Sequence, residues 1–262
     1  MIKILGMIIG VFSYGFFGLL IGLYIGYLLD RRFSKYYARW MLKALHKHLQ
    51  KTQRTFFEAT FQVMGHVAKA DGRISEEEIR VARQVMVQMQ LSEEATREAM
   101  ALFNKGKSAD FNLEEVLAPL RLVGQRQRNL VQMFVEIQLR AALADGEVAT
   151  EERQIINNIG HILGFTTDDI VRLEAMMRAE RHNQQQPGNR GMELADAYDI
   201  LNLEEEASDA EVKKSYRKLI NQHHPDKLAA KGLPPEMMKM AEDKSHEIRT
   251  AYERIREHRG FK

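Results

Sequence analysis

The chain has 262 residues, of which 45% are hydrophobic and 28% charged, and it contains no cysteine. This length and composition predict two modest globular domains with accessory segments, and they exclude a disordered chain, a disulfide framework, a cysteine nucleophile and an iron–sulfur cluster. The 38 basic and 36 acidic side chains leave a net charge of +2, so the chain as a whole is not a polyanion binder.

Residues 1–30 contain an uncharged, largely apolar run from Ile4 to Leu29. As a helix this run would be about 39 Å long, which exceeds the roughly 30 Å of a bilayer's hydrocarbon core. A cleaved signal peptide fits less well, because only Lys3 precedes the run and no small-residue cleavage site follows it. We therefore predict a retained transmembrane anchor.

A basic segment, residues 31–54, follows the predicted anchor and carries no acidic side chain. This charge predicts that the C-terminal domains are cytoplasmic and that the N-terminus lies on the opposite side of the membrane. Five cations recur every four residues, which would align them on one side of a helix, facing either anionic lipid head groups or solvent. They are Lys35, Arg39, Lys43, Lys47 and Lys51.

Glycines within the anchor also recur every four residues, at Gly18, Gly22 and Gly26. This spacing places small residues on one face of a membrane helix, where a second helix can approach closely. We therefore predict a homodimer formed through the anchor.

Residues 55–180 contain an internal duplication, in which 57–92 align with 131–166. Each copy has apolar residues at helical spacing, then an Asp-Gly loop and a second helix, which predicts an all-α domain with one buried helix face in each copy. The apolar residues are Phe57, Phe61, Met64 and Ala68 in the first copy and Leu130, Phe134, Ile137 and Ala141 in the second.

Acidic residues at the two loops permit two interpretations. Asp71 with Glu78, and Asp145 with Glu152, have the spacing that ends a calcium-binding loop. The earlier ligand positions of such a loop hold no carboxylate here, which disfavours a calcium sensor. The acids can instead cap the helices that follow. These four residues are the candidate ligands for a divalent metal, and the sequence offers no other cofactor site.

The two Asp-Gly-x-(Ile/Val) loops and their helices resemble the tellurite-resistance TerB-like domain. The resemblance implies a helical module that binds a metal or a partner and is not an enzyme.

The chain also lacks a phosphate-binding loop, a nucleophile elbow, a His-Glu-x-x-His motif and a dinucleotide fingerprint. A metal or stress-ligand sensor in this domain, with the C-terminal segment as its output, is the alternative function.

A polar segment, residues 181–192, predicts a flexible linker. Beyond it, Ser208 and Glu211 have the spacing of a capping box, which predicts a helix that runs to about His223. On a helical wheel its apolar residues share one side, and its cations face away from the predicted core. These cations, which we call the cationic face, are Lys213, Lys214, Arg217 and Lys218.

The helix is expected to end before Pro225, because a proline disfavours helical geometry in the residue that precedes it. A second helix is predicted from about Glu236. The domain 193–262 would therefore be a helical hairpin with an exposed polar tip, which we define as His224, Pro225 and Asp226.

The basic helix, the His224-Pro225-Asp226 tip and the later Ala251-Tyr252 resemble the J domain of DnaJ-type co-chaperones. With the anchor and the TerB-like domain, the whole chain resembles membrane-anchored members of that family, which implies a single-pass protein of the inner membrane with its N-terminus in the periplasm. The resemblance implies that the tip and the cationic face bind a DnaK-type chaperone and stimulate its ATP hydrolysis, in envelope stress or capsule regulation. Nucleic-acid binding by the same cations is disfavoured, because no aromatic residues for base stacking are interleaved with them.

Overall fold

The computed structural model describes residues 24, 27, 40–70, 76–143, 148–185 and 192–261. Two compact units are present, Met1–Lys51 and Thr52–Lys262. In the first unit the described residues are all helical. The predicted anchor and its three glycines lie outside the described residues, apart from Tyr24 and Tyr27. None of the helices in the described ranges has both the length and the apolar composition that crossing a bilayer requires.

In the second unit, the described residues between 52 and 185 form seven helices, which we call the middle module (residues 52–185). Within this unit, the first helix, α1, comprises the helical residues 52–68. The others are α2 (Glu76–Gln88), α3 (Glu93–Gly106), α4 (Leu113–Gly124), α5 (Arg128–Ala142), α6 (Thr150–Ile162) and α7 (Thr167–Gln185).

Helix α5 lies at the centre of the middle module. From Leu130 to Leu139, every residue except Gln132 is buried. The ring of Phe134 meets that of Phe56 on α1 edge to face, with 5.8 Å between centroids. The apolar residues predicted to form the two buried helix faces are buried, or half-buried in the case of Ala68 and Ala141, so this prediction is confirmed.

Local capping chemistry explains where two of these helices begin. Ser92 Oγ accepts a hydrogen bond of 3.2 Å from the Ala95 N–H at the start of α3. Asn112 Oδ1 accepts one of 3.2 Å from the Glu115 N–H at the start of α4. Each cap satisfies a backbone donor that has no partner within its own helix.

The C-terminal module (residues 192–261) contains four α-helices and one short 3₁₀ turn among its described residues. They are α8 (Leu194–Ile200), α9 (Asp209–His223), α10 (Pro225–Lys231), the turn Pro235–Met237 and α11 (Met238–Arg259). The all-α prediction for the chain is confirmed in the ranges that the structure describes.

Helix α10 corrects the prediction of a simple hairpin loop after His223. Pro225 ends α9, as predicted, but it is also the first residue of α10. A proline suits that position, because the N–H it lacks would have no partner in the first turn of a helix. Helix α10 is followed by Gly232, which caps it with a φ of 106° that is readily adopted only by glycine.

The two modules pack directly against each other. Helix α8 contacts α7, and both α9 and α10 contact α5. Helix α7 continues to Gln185, so the segment 181–192, predicted as a linker, begins inside a helix. The Arg181 guanidinium donates a hydrogen bond to the Leu143 carbonyl, which holds this part of α7 against the end of α5.

Candidate functional site

Helix α9 begins with the capping box that the sequence predicts. The Ser208 N–H donates to Glu211 Oε2 at 2.8 Å, and the Glu211 N–H donates to Ser208 Oγ at 3.4 Å. The Ser208 hydroxyl also donates to Glu211 Oε2 at 2.7 Å, and this hydrogen bond, together with that from the Ser208 N–H, lowers the pKa of the Glu211 carboxyl. The helix therefore has a fixed first residue, which sets the direction of each side chain along it.

The apolar side of α9 packs against α11 and the middle module, as the helical wheel predicts. Val212, Leu219 and His223 are buried. The ring of Tyr216 stacks on Tyr252 of α11, with centroids 4.1 Å apart and planes 17° from parallel.

Three residues of the cationic face, Lys214, Arg217 and Lys218, are exposed on the other side of α9. Lys213 differs, because it is half-buried and its Nζ lies 4.9 Å from the centre of the Phe261 ring. The structure therefore brings three of the four predicted cations to one accessible surface and holds the fourth against an aromatic side chain.

The tip lies at the junction of α9 and α10. His224 has extended backbone angles, with φ of −62° and ψ of 123°, and its carbonyl accepts hydrogen bonds from the Lys227 and Leu228 N–H groups at 3.1 and 3.0 Å. The side chains of His224 and Asp226 are exposed. The Asp226 carboxylate has no hydrogen bond or ion pair with any described residue, which leaves it available to another molecule.

Contacts on both sides of the tip hold it in place. The Ser245 hydroxyl on α11 donates a hydrogen bond of 2.8 Å to the His223 carbonyl. Lys227 Nζ donates to Asn221 Oδ1 and so joins the first turn of α10 to the last turn of α9. Leu228 is buried beneath the tip. These contacts restrain the backbone of the tip from both sides.

The structure also contains an ionic cluster that sequence reasoning missed. Lys244 of α11 is buried and pairs with Glu180 of α7, whose other carboxylate oxygen lies 3.1 Å from Arg140 of α5. We call Arg140, Glu180 and Lys244 the buried charge cluster. Burial lowers the pKa of Lys244 to about 8, although the negative charges of Glu136 and Glu247 act in the opposite direction.

A second buried contact between the modules lies beside the tip. His223 Nδ1 lies 3.6 Å from Glu136 Oε2 of α5, a distance too long for a hydrogen bond. Neither ring nitrogen of His223 has a hydrogen-bond partner among the described residues. The residue that immediately precedes the tip is therefore packed against the middle module.

Most of the predicted metal ligands lie outside the described part of the chain. Asp71, Asp145 and the Glu78 side chain fall there. Glu152 Oε2 accepts a hydrogen bond of 3.1 Å from the Ala149 N–H at the start of α6, as the capping interpretation predicts.

Elsewhere in the described ranges, one group of three side chains has ligand atoms close enough to share a metal ion. It comprises His182, Glu193 and Asp196, and these atoms lie within 4.8 Å of one another. The 2.8 Å contact with Asp196 raises the pKa of His182. None of these three residues belongs to the predicted ligand set.

Three family models match successive parts of the chain. Residues 1–49 match the model described as the co-chaperone DjlA transmembrane domain. Residues 57–175 match the tellurite resistance protein TerB, and residues 196–259 match the DnaJ domain. The resemblances to a TerB-like domain and to a J domain are thereby confirmed.

Curated relatives match along almost the full length. The co-chaperone protein DjlA of Coxiella burnetii is 46% identical over 99% of this chain and 98% of its own. The proteins of the same name from Photobacterium profundum and Photorhabdus laumondii are 43% and 40% identical, with at least 98% of each chain covered. No solved structure matches the chain.

Proposed function

The chain belongs to the DjlA family of co-chaperones, and on this premise we propose that its C-terminal module binds a cytoplasmic DnaK-type chaperone and stimulates that partner's ATP hydrolysis. A J-domain co-chaperone is not itself an enzyme, so the phosphate bond of ATP is broken in the partner's active site. The proposed contacts are the tip residues His224, Pro225 and Asp226 and the cationic face of Lys213, Lys214, Arg217 and Lys218.

The observation that carries this proposal is the exposed Asp226 carboxylate beside an exposed row of cations. Neither Asp226 nor the ammonium groups of Lys214 and Lys218 form a hydrogen bond or ion pair with a described residue. These exposed charges have no partner within the described part of the chain and are therefore accessible to another molecule.

Each part of this surface has a distinct physical role in the proposal. The cationic face attracts an acidic surface over several ångströms, which raises the association rate and makes it depend on salt. Asp226 then pairs with a basic group that the partner presents in its hydrolysing state. A contact made with only one of two states shifts the partner towards that state. The fixed tip adds little ordering cost to binding.

The direct test is a single-turnover assay with a DnaK-type chaperone that has been loaded with labelled ATP. Full-length chain in detergent is expected to accelerate hydrolysis in a saturable way. If the hydrolysis rate did not change over a wide range of chain concentrations, the proposed function would be wrong.

We further propose that the second unit lies on the cytoplasmic side of the inner membrane. The basic segment 31–54 supports this orientation. Among its described residues, Lys43 and Lys47 are exposed, and so are the apolar side chains of Trp40 and Leu45, at 63% each. Exposed basic and apolar side chains together are typical of the lipid head-group region. Protease added to intact spheroplasts is expected to spare the C-terminal module, and protease added to inverted vesicles to degrade it. The reverse pattern would contradict this orientation.

We also propose a homodimer formed through Gly18, Gly22 and Gly26. In a helix these glycines share one face, and leucine at all three positions would keep a partner helix from close approach. The triple Gly→Leu variant is expected to lose most self-association in a membrane reporter assay. Leu20→Ala changes the opposite helix face and is the matched control. Unchanged association of the triple variant would exclude this interface.

By resemblance to anchored J proteins, we extend the proposal to envelope stress signalling and capsule control. A co-chaperone tethered to the membrane is concentrated where regulators of both processes would reside. A strain that lacks the gene should show altered envelope-stress reporter activity, and unaltered reporters and capsule would contradict this extension.

A further inference from the structure

A cleft of about 270 Å³ separates the cationic face of α9 from the middle module. Lys218 and Gln222 line it on one side, and residues of α5 and α7 line the other. Lys218 follows Lys214 by one helical turn, so both lie on the same side of α9. The cationic face therefore continues directly into this cleft.

The middle module contributes two arginines to the same cleft, Arg128 at the start of α5 and Arg172 on α7. Both are exposed. The cleft also contains one carboxylate, Asp169, whose Oδ2 lies 3.4 Å from Arg128 Nη2. Together with Lys218, the lining has three cations and one anion, so its net charge is positive.

Arg128 is held in position by its surroundings. Its Nη1 donates a hydrogen bond of 3.2 Å to the Gly164 carbonyl, and its guanidinium lies 4.6 Å from the centre of the Phe165 ring. Arg172 and Lys218 have no hydrogen bond or ion pair with any described residue. One cation is therefore preorganised, and two can turn towards a bound partner.

The helices on the two sides of the cleft are held relative to each other. The buried charge cluster joins α5, α7 and α11, and His223 of α9 packs on α5. A binding partner therefore meets one continuous basic surface built from both modules. An acidic protein surface is the complementary occupant, because it can contact several of these cations at once.

We propose that the middle module supplies Arg128 and Arg172 as additional binding residues for the DnaK-type chaperone, which spans the cleft between these arginines and Lys218. This inference rests on the proposed function. It assigns the middle module a direct part in partner binding, while the tip alone acts on ATP hydrolysis. The arginines should therefore affect the affinity of the complex and leave the maximal rate of hydrolysis unchanged.

The test uses full-length chain in detergent and measures the concentration that gives half-maximal stimulation of single-turnover ATP hydrolysis. Arg172→Glu is expected to raise this concentration about threefold, and the pair Arg128→Glu with Arg172→Glu about tenfold, at unchanged maximal rate. Arg172 makes no hydrogen bond within the described chain, so its single variant tests the proposal even if the double variant folds poorly. Arg121→Glu, an exposed change on α4 outside the cleft, is the matched control.

The outcomes separate this inference from the proposed function. A wild-type chain that fails to stimulate the chaperone contradicts the proposed function itself. If the wild type stimulates and Arg172→Glu and the double variant match Arg121→Glu, the inference is wrong. It is also wrong if the variants lower the maximal rate without changing the half-maximal concentration. Loss of RNA binding by the variants, with the chaperone response unchanged, would instead identify the cleft as a nucleic-acid site.

Discussion

Replacing Asp226 with asparagine is expected to abolish stimulation of the DnaK-type chaperone's ATP hydrolysis while leaving the C-terminal module folded. The side chain is exposed and makes no hydrogen bond or ion pair with a described residue, so its charge contributes little to the fold. In the complex, removal of one partner of a desolvated charge pair costs about 2–5 kcal/mol. That range corresponds to a loss of at least about 30-fold in the stimulated rate.

The measurement is the single-turnover hydrolysis rate at saturating chain, with circular dichroism as the check on folding. His224→Gln is expected to give a similar loss. Asp168→Asn is the matched control, because it removes the same charge from the exposed first turn of another helix, α7. Equal stimulation by wild type and Asp226→Asn would show that this carboxylate does not act on the partner.

Replacing Glu180 with glutamine is expected to lower the free energy of unfolding of the second unit by about 3–5 kcal/mol. The substitution leaves Lys244 buried without the carboxylate that contacts it, and leaves Arg140 without its ion-pair partner. Leaving a buried charge without a partner lowers the free energy of unfolding far more than breaking an ion pair on the surface does. Glu58→Gln breaks a contact with Arg54 whose side chains are 39% and 56% exposed, and it should cost at most about 1 kcal/mol.

Urea unfolding of the full-length variants measures this cost, and Lys244→Met provides an internal check. In the Glu180→Gln background, Lys244→Met removes the unpaired charge and is expected to recover most of the lost stability. If the double variant were no more stable than Glu180→Gln alone, the unpaired lysine would not be the cause of the loss.

The lowered pKa of Lys244 predicts how the free energy of unfolding changes with pH in the same urea experiment. Its pKa is lowered from 10.5 to about 8 in the folded chain. Below about pH 8, Lys244 is protonated in both the folded and the unfolded chain. Between about pH 8 and 10.5 it is protonated mainly in the unfolded chain. The free energy of unfolding therefore rises with pH in that window. Lys244→Met is expected to remove that rise.

The basic helix and its tip could be predicted from the sequence because their signals are local. Ser208 and Glu211 marked the start of α9, and the spacing of Val212, Leu219 and His223 marked its buried side. Helix α10 was missed, because Pro225 both ends one helix and suits the first position of the next. The prediction used only the effect of Pro225 on the residue before it and not its preference for the first turn of a helix.

The packing of the two modules could not be predicted in the same way. Lys244 precedes Ile248, Ala251 and Ile255 at helical spacing, so a charge on the buried side of α11 was visible in the sequence. Its partner, Glu180, is 64 residues away. No local pattern identifies a partner at that separation. The arginines of the cleft were missed for the same reason, since only the folded chain brings them next to Lys218.

The contact between His223 and helix α5 has a mechanical consequence. His223 and His224 are joined by one peptide bond, and the first is wedged against the central helix of the middle module while the second belongs to the tip. Close-packed interiors transmit small displacements because they contain little empty space. A displacement of α5 is therefore expected to shift the backbone of His224 as well, so the position of the tip depends on the packing of the middle module.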